Sequence, residues 1–204
     1  MVMPSKRNDL PRFQRWSKSY ETSWLQPVFF EPSMRTVLEV IASYVTTQPE
    51  SVLDIGCGTG RLLRSLHERW PEAELLGVDP TFGMIEKARE LSSAIKFEVS
   101  FAEALPVPDA SIEVAMSTFS FHHWSDQQAG LREIVRVLKP QGYFFLADAV
   151  QPGWLARLQP RSHMQRPEGV RELFQQAGLH VLHQQLTNTK WALVTAGRKE
   201  LAAD

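Results

Sequence analysis

The chain is expected to fold as an α/β protein: a doubly wound, mainly parallel seven-stranded sheet with an antiparallel C-terminal strand, preceded by an N-terminal helical lid. Three observations predict this. Short apolar runs alternate with amphipathic helical patterns from residue 51 to residue 177. The first run, Ser51-Val52-Leu53-Asp54-Ile55, opens directly into the turn Gly56-Cys57-Gly58-Thr59-Gly60 and a helix from Arg61, the strand–turn–helix unit on which ligand-binding α/β sheets are built. The last two runs, Leu179 to Leu186 and Trp191 to Ala196, are joined only by Thr187-Asn188-Thr189. That spacing makes a hairpin, not a parallel crossover.

The N-terminal third comes first. Residues 1 to 9 read as a loose tail. Phe13, Trp16 and Tyr20 fall on one helical face, and Trp24, Phe29 and Phe30 add aromatic bulk. This segment either caps the domain or forms a lid over a ligand, and the two readings are compatible. Ser33 to Thr46 reads as a helix with Val37, Leu38, Ile41 and Val45 as its buried stripe, ended by Thr47 to Glu50 with Pro49. A boundary is therefore expected between residues 1–47 (tail, aromatic lid, helix) and residues 48–204 (ligand-binding domain).

In the sheet domain, Glu74 to Asp79 reads as the second strand and Phe82 to Leu91 as the next helix, with Met84, Ile85 and Ala88 inward. Ile95 to Val99 and Ile112 to Phe119 follow as strands three and four. Gln127 to Leu138 is a helix stopped by Lys139-Pro140-Gln141-Gly142, and Tyr143 to Ala147 is strand five. Val150 to Pro167, rich in Pro, Arg and Gln, reads as partly irregular, and Glu168 to Ala177 as the last helix, stopped by Gly178.

Composition narrows the function. A length of 204 residues with 43% hydrophobic content suits one core-bearing α/β domain plus an appendage. A formal net charge of −1 gives no electrostatic footprint for nucleic acid. The single cysteine, Cys57, excludes an intramolecular disulfide and reads as a small packing residue in the turn. No apolar run reaches transmembrane length, and Met1 to Leu10 lacks a signal-peptide core, so a cytoplasmic protein without a membrane span is expected. No metal site is expected.

The glycine turn points to a small ligand. The dinucleotide pattern G-x-G-x-x-G needs a glycine where this chain has Arg61. The pattern present is D-x-G-x-G-x-G, with Asp54 two residues ahead of Gly56. Asp79 ends the second strand, where a carboxylate can accept both ribose hydroxyls, although a strand-end Asp also serves as a helix N-cap. Met84 is placed either against an adenine or in plain core.

Five motifs in order resemble one family. They are Val52 to Gly60, Gly77-Val78-Asp79 with Met84, Ala102-Glu103-Ala104-Leu105-Pro106, Phe121-His122-His123-Trp124, and Leu131 to Pro140. Over residues 12 to 150 the chain resembles the type 11, UbiE-like group of class I S-adenosylmethionine (SAM) methyltransferases, which are Rossmann-like. The resemblance implies SAM as cofactor, S-adenosylhomocysteine as product and a small-molecule methyl acceptor. Asp54 and the turn Gly56-Cys57-Gly58 would hold the methionine amine, Asp79 the ribose, and Pro80 and Met84 the adenine. Ala102 would offer its amide to an adenine nitrogen. Ser117 and Phe119 would line the methionyl portion, Tyr20 would cover it, and Arg35 would reach its carboxylate. The family usually carries Asp at the position of Phe101, so the contact to the adenine amino group is lost, moved to Glu103 or replaced by stacking.

His122 and His123 follow the fourth strand near the expected methyl position. Either is a candidate base for an acceptor that must lose a proton, with His123 preferred, or both only shape the turn. The acceptor pocket is expected between the lid, this turn and Gln151 to Pro167, where Arg157, Arg161 and Arg166 either bind an anionic group or are solvated. A catalytically silent SAM-binding or partner-binding protein stays as the alternative. A Rossmann-type oxidoreductase is disfavoured by Arg61.

Overall fold

A computed structural model describes residues 9–150, 166–187 and 190–200. The strands are β1 (Ser51–Ile55), β2 (Glu74–Asp79), β3 (Lys96–Val99), β4 (Ile112–Thr118), β5 (Leu138–Ala149), β6 (Leu179–Leu186) and β7 (Ala192–Lys199). They form one sheet in the order β3-β2-β1-β4-β5-β7-β6. β1 to β5 pair parallel, and β7 runs antiparallel to both β5 and β6. The strand order reverses between β1 and β4, and ligands bind at such switch points beyond the carboxyl ends of the strands.

The helices are α1 (Leu10–Trp16), α2 (Glu31–Tyr44), α3 (Arg61–Arg69), α4 (Phe82–Leu91), α5 (Gln127–Val137) and α6 (Pro167–Ala177). The alternation along β1 sends Val52 to one core and Leu53 and Ile55 to the other. Val37 and Ile41 of α2, Leu62, Leu63 and Leu66 of α3, and Ile85 of α4 fill the first. Leu131, Ile134 and Val137 of α5 and Val170 and Phe174 of α6 fill the second. Helices therefore cover both faces, as a parallel sheet requires.

Three boundaries depart from expectation. α1 ends at Trp16, where the Ser17 hydroxyl donates back to the Gln14 carbonyl (2.9 Å), a local bond that competes with helix propagation. A π-helical turn (Gln26–Phe30) precedes α2, which starts at Glu31 and buries Val40 beside Val37, Ile41 and Val45, leaving Leu38 at the margin. β5 begins at Leu138 instead of Tyr143, because Leu138 pairs with Ile112 and Lys139 Nζ bridges Glu50 (2.8 Å) and Glu113 (2.9 Å). The expected helix stop at 139–142 is thus strand. Gln151 to Gln165, with Arg157 and Arg161, lies outside the described residues; Arg166 is exposed at the start of α6.

Candidate cofactor and acceptor site

Beyond the carboxyl ends of β1, β2 and β4, two adjoining cavities meet beneath the N-terminal segment. Counted with the open solvent at their mouths, the larger spans about 910 Å³ and the smaller about 540 Å³. Tyr20, Phe30, Gly56, Thr118 and Phe119 border both.

The floor is the glycine turn. Gly56 has φ +74°, and a Cβ there would lie 2.2 Å from Ser120 Oγ, so only glycine lets the β4 turn seat on the end of β1. Ser120 Oγ donates to the Ile55 carbonyl (3.0 Å) and accepts from Trp124 Nε1 (3.1 Å). Gly58 (φ +54°) faces outward: its nearest neighbour to an added Cβ is Tyr20 Cε1 at 4.0 Å. Asp79 ties this turn to the next one, Oδ2 accepting from Gly58 N–H (3.1 Å) and Oδ1 from Thr81 N–H (2.8 Å). Burial raises the Asp79 pKa, partly opposed by those two amides.

The smaller cavity is lined by Asp54, Gly56, Cys57, Arg61, Leu62 and Gln26, among others. Asp54 is 1% exposed, and among the described residues its Oδ1 has no hydrogen-bond partner. Burial, then the charge of Asp79, pushes its pKa up to about 8. The same causes, with Asp54 added, hold the Cys57 thiol well above its ordinary value, which makes it unreactive packing.

The N-terminal segment forms the roof of the larger cavity. Phe13, Trp16 and Tyr20 share one side of it as the sequence predicts, with Trp16 and Tyr20 edge-to-face at 4.8 Å. Burial pushes the Tyr20 phenol up to about 12. Trp24 stays exposed. Two ion-pair sets latch this segment to the glycine turn and α3. Glu21 accepts from the Thr59 hydroxyl, from Arg61 (3.2 Å) and from Arg64 (3.2 Å), and Glu31 accepts from Arg61 (2.8 Å). Gln14 Oε1 adds a bond from Gly83 N–H (2.8 Å).

The larger cavity continues past Asp79, Pro80, Thr81 and Met84 to Phe101, Ala102 and Glu103, then to His123, Trp124 and Ser125. Glu103 Oε1 accepts from Asp126 N–H (3.0 Å), so this carboxylate also holds the start of α5. The two histidines differ. His122 turns away from the cavities: its Nδ1 and backbone N–H both donate to Asp148 (2.6 and 2.7 Å). His123 lines the larger cavity, with Nδ1 3.2 Å from Asp9 Oδ2 and the ring edge-to-face with Phe13 at 5.0 Å. Burial, then the neighbouring His122, lowers the His123 pKa to about 4. His123 is therefore neutral near pH 7, with Nε2 as its free basic atom if Asp9 holds the proton on Nδ1.

Besides His122, two expected site residues lie elsewhere. Ser117 is fully buried in β4, its hydroxyl bonded to Ser120 Oγ (2.8 Å), and it borders neither cavity; Thr118 takes its place beside Phe119. Arg35 is exposed on the outer face of α2, and the arginine at the Asp54 cavity is Arg61. Ser120, Asp9 and Gln26 were not singled out by sequence, because each reaches the site through tertiary contacts. Arg61, which stands where the dinucleotide pattern has glycine, ties the N-terminal segment to α3.

Comparison with known proteins finds matches among the methyltransferases that the motifs resemble. The model of a methyltransferase-domain family (type 11) matches residues 53–146. A demethylmenaquinone methyltransferase of Deinococcus radiodurans is 36% identical over 115 residues, 54% of this chain and 48% of that protein. A trans-aconitate 2-methyltransferase of Rhodopseudomonas palustris is 36% identical over 94 residues, 46% of this chain and 37% of that protein. The chain thus spans less than half the length of these curated relatives. A SAM-dependent methyltransferase from Aquifex aeolicus shares the fold, with TM-score 0.72 at 20% identity, covering 91% of this chain and 97% of that one. Among the described residues no helix is long and apolar enough to cross a membrane. By these likenesses residues 53–146 form a domain similar to those of the type 11, UbiE-like group of SAM-dependent methyltransferases.

Proposed function

We propose that the chain transfers the methyl group of SAM to a small, partly apolar or aromatic acceptor by in-line displacement. The observation that carries this reading is Asp54: a buried carboxylate with an unpartnered oxygen, in a cavity floored by the glycine turn. An α-ammonium group satisfies that oxygen and stabilises the ionised form, which burial alone disfavours. Asp79 holds the ribose, with Pro80 and Met84 along the adenine and Ala102 offering its amide. Phe101 replaces the family's acceptor with an aromatic face for the base. Tyr20 and Phe119 enclose the region where the two cavities meet.

When bound, SAM supplies a methyl carbon already activated by its sulfonium. The protein's work is then to position the acceptor and exclude water. Phe13, Trp16, Tyr20 and Phe30 exclude water from above, and Trp124 is set by its bond to Ser120. Neutral His123 accepts a proton at Nε2 from a hydroxyl acceptor while Asp9 fixes Nδ1. The apolar lining favours a planar or aliphatic body, and His123, Ser125 and Glu103 at one end give it a polar anchor.

A labelled-methyl transfer screen over phenols, quinone precursors, amines and carboxylic acids tests the reading. Transfer to at least one class, lost in Asp54→Ala, is the expected result. SAM binding without turnover across the whole panel would favour a catalytically silent SAM-binding protein.

A further inference from the structure

Asp54 is not the only buried acceptor without a partner at its cavity. Gln26, in the π-helical turn of the N-terminal segment, is 2% exposed, lines the same cavity, and among the described residues its Oε1 has no hydrogen-bond partner. The amide cannot simply be turned over. Its Nε2 donates to the Tyr20 carbonyl (3.0 Å), so Oε1 is the acceptor end by hydrogen-bond geometry. The backbone also holds the residue in place: Gln26 N–H donates to the Ser23 carbonyl (3.0 Å), and the wider π turn from Gln26 to Phe30 carries the side chain inward.

We infer that Gln26 Oε1 and Asp54 Oδ1 together hold the α-ammonium group of SAM, Asp54 from the sheet and Gln26 from the lid. The inference rests on reading this cavity as the SAM site. An ammonium carries three N–H donors and no acceptor, so it satisfies a carboxylate and an amide oxygen at once. A carboxylate or hydroxyl ligand would satisfy at most one of them. Gln26 is bonded to the Tyr20 backbone, so an ammonium held by its acceptor ties the segment that carries Tyr20 and Phe30 to the sheet at the junction of the cavities.

The experiment is calorimetric titration of wild type, Gln26→Met and Gln26→Glu with S-adenosylhomocysteine and with its deaminated analogue, which keeps the carboxylate and lacks only the amine. Wild type should prefer S-adenosylhomocysteine strongly. In Gln26→Met that ligand should bind about tenfold more weakly while the analogue binds as in wild type. Gln26→Glu, which keeps an acceptor, should retain the preference for the amine even if the loss of the Nε2 bond lowers both affinities. Equal weakening of both ligands in Gln26→Met, or unchanged affinity for S-adenosylhomocysteine, overturns the inference and leaves the SAM reading standing. Wild type that binds neither ligand overturns both.

Discussion

Arg61 in the first turn of α3 reaches Glu31 at the start of α2 at 2.8 Å, and the same guanidinium meets Glu21 at 3.2 Å. One side chain thus ties the N-terminal segment to the helix that follows the glycine turn. The position that separates this chain from the dinucleotide fingerprint is the one that fastens its roof.

Arg61→Met should therefore loosen the lid without unfolding the sheet. These pairs are only partly buried, so a loss near 1 kcal/mol is expected, about a fivefold weaker SAM affinity. Titration at low and high salt checks this. Wild-type affinity should fall with salt, and the variant should respond less.

Asp54 should make cofactor binding pH-dependent. With its pKa near 8 in the free protein, Asp54 is mostly protonated at pH 7, and pairing with an ammonium ionises it. Affinity should rise from pH 6 toward pH 8, then fall as the ligand amine, with a reference pKa of about 7.7–8.0, loses its proton. Calorimetry at pH 7 in buffers of different ionisation enthalpy should report net proton release, and Asp54→Asn should abolish it.

His123 titrates below its ordinary range, so the folded protein resists its protonation. Its folded pKa is lowered to about 4, so the stability it contributes is complete above its unfolded value of about 6.5 and is lost as pH falls from there toward 4. His123→Phe should blunt that part of the acid limb in denaturant titrations. For a hydroxyl acceptor, His123→Ala should lower kcat/KM by about 10²-fold or more with SAM affinity unchanged.

Phe101→Asp restores the acceptor that the family places beside the adenine amino group. One added hydrogen bond is worth about 1 kcal/mol, so SAM should bind about fivefold more tightly. Affinity for methionine-side fragments should not change.

The parts legible in sequence are those set by local spacing. The run from Ser51 to Gly60 specifies its own strand and turn, and Asp79 follows at the end of the next parallel strand. The aromatic spacing of Phe13, Trp16 and Tyr20 located the roof although the helix stops at Trp16. Residues whose part depends on a distant partner stayed hidden. Gln26 matters through a π turn, and no helical or strand period marks one. The resemblance implies Arg35 at the carboxylate, but α2 leaves it exposed. His122 and His123 are adjacent and indistinguishable in sequence, and Asp148 on β5 decides which of them faces the cavity.

The most direct test is titration of the purified chain with SAM and, in parallel, with NAD. Saturable binding of SAM at one site per chain, weakened by about 1–3 kcal/mol in Asp79→Ala and absent with NAD, is the predicted result. No heat with SAM, or NAD binding in its place, would contradict it.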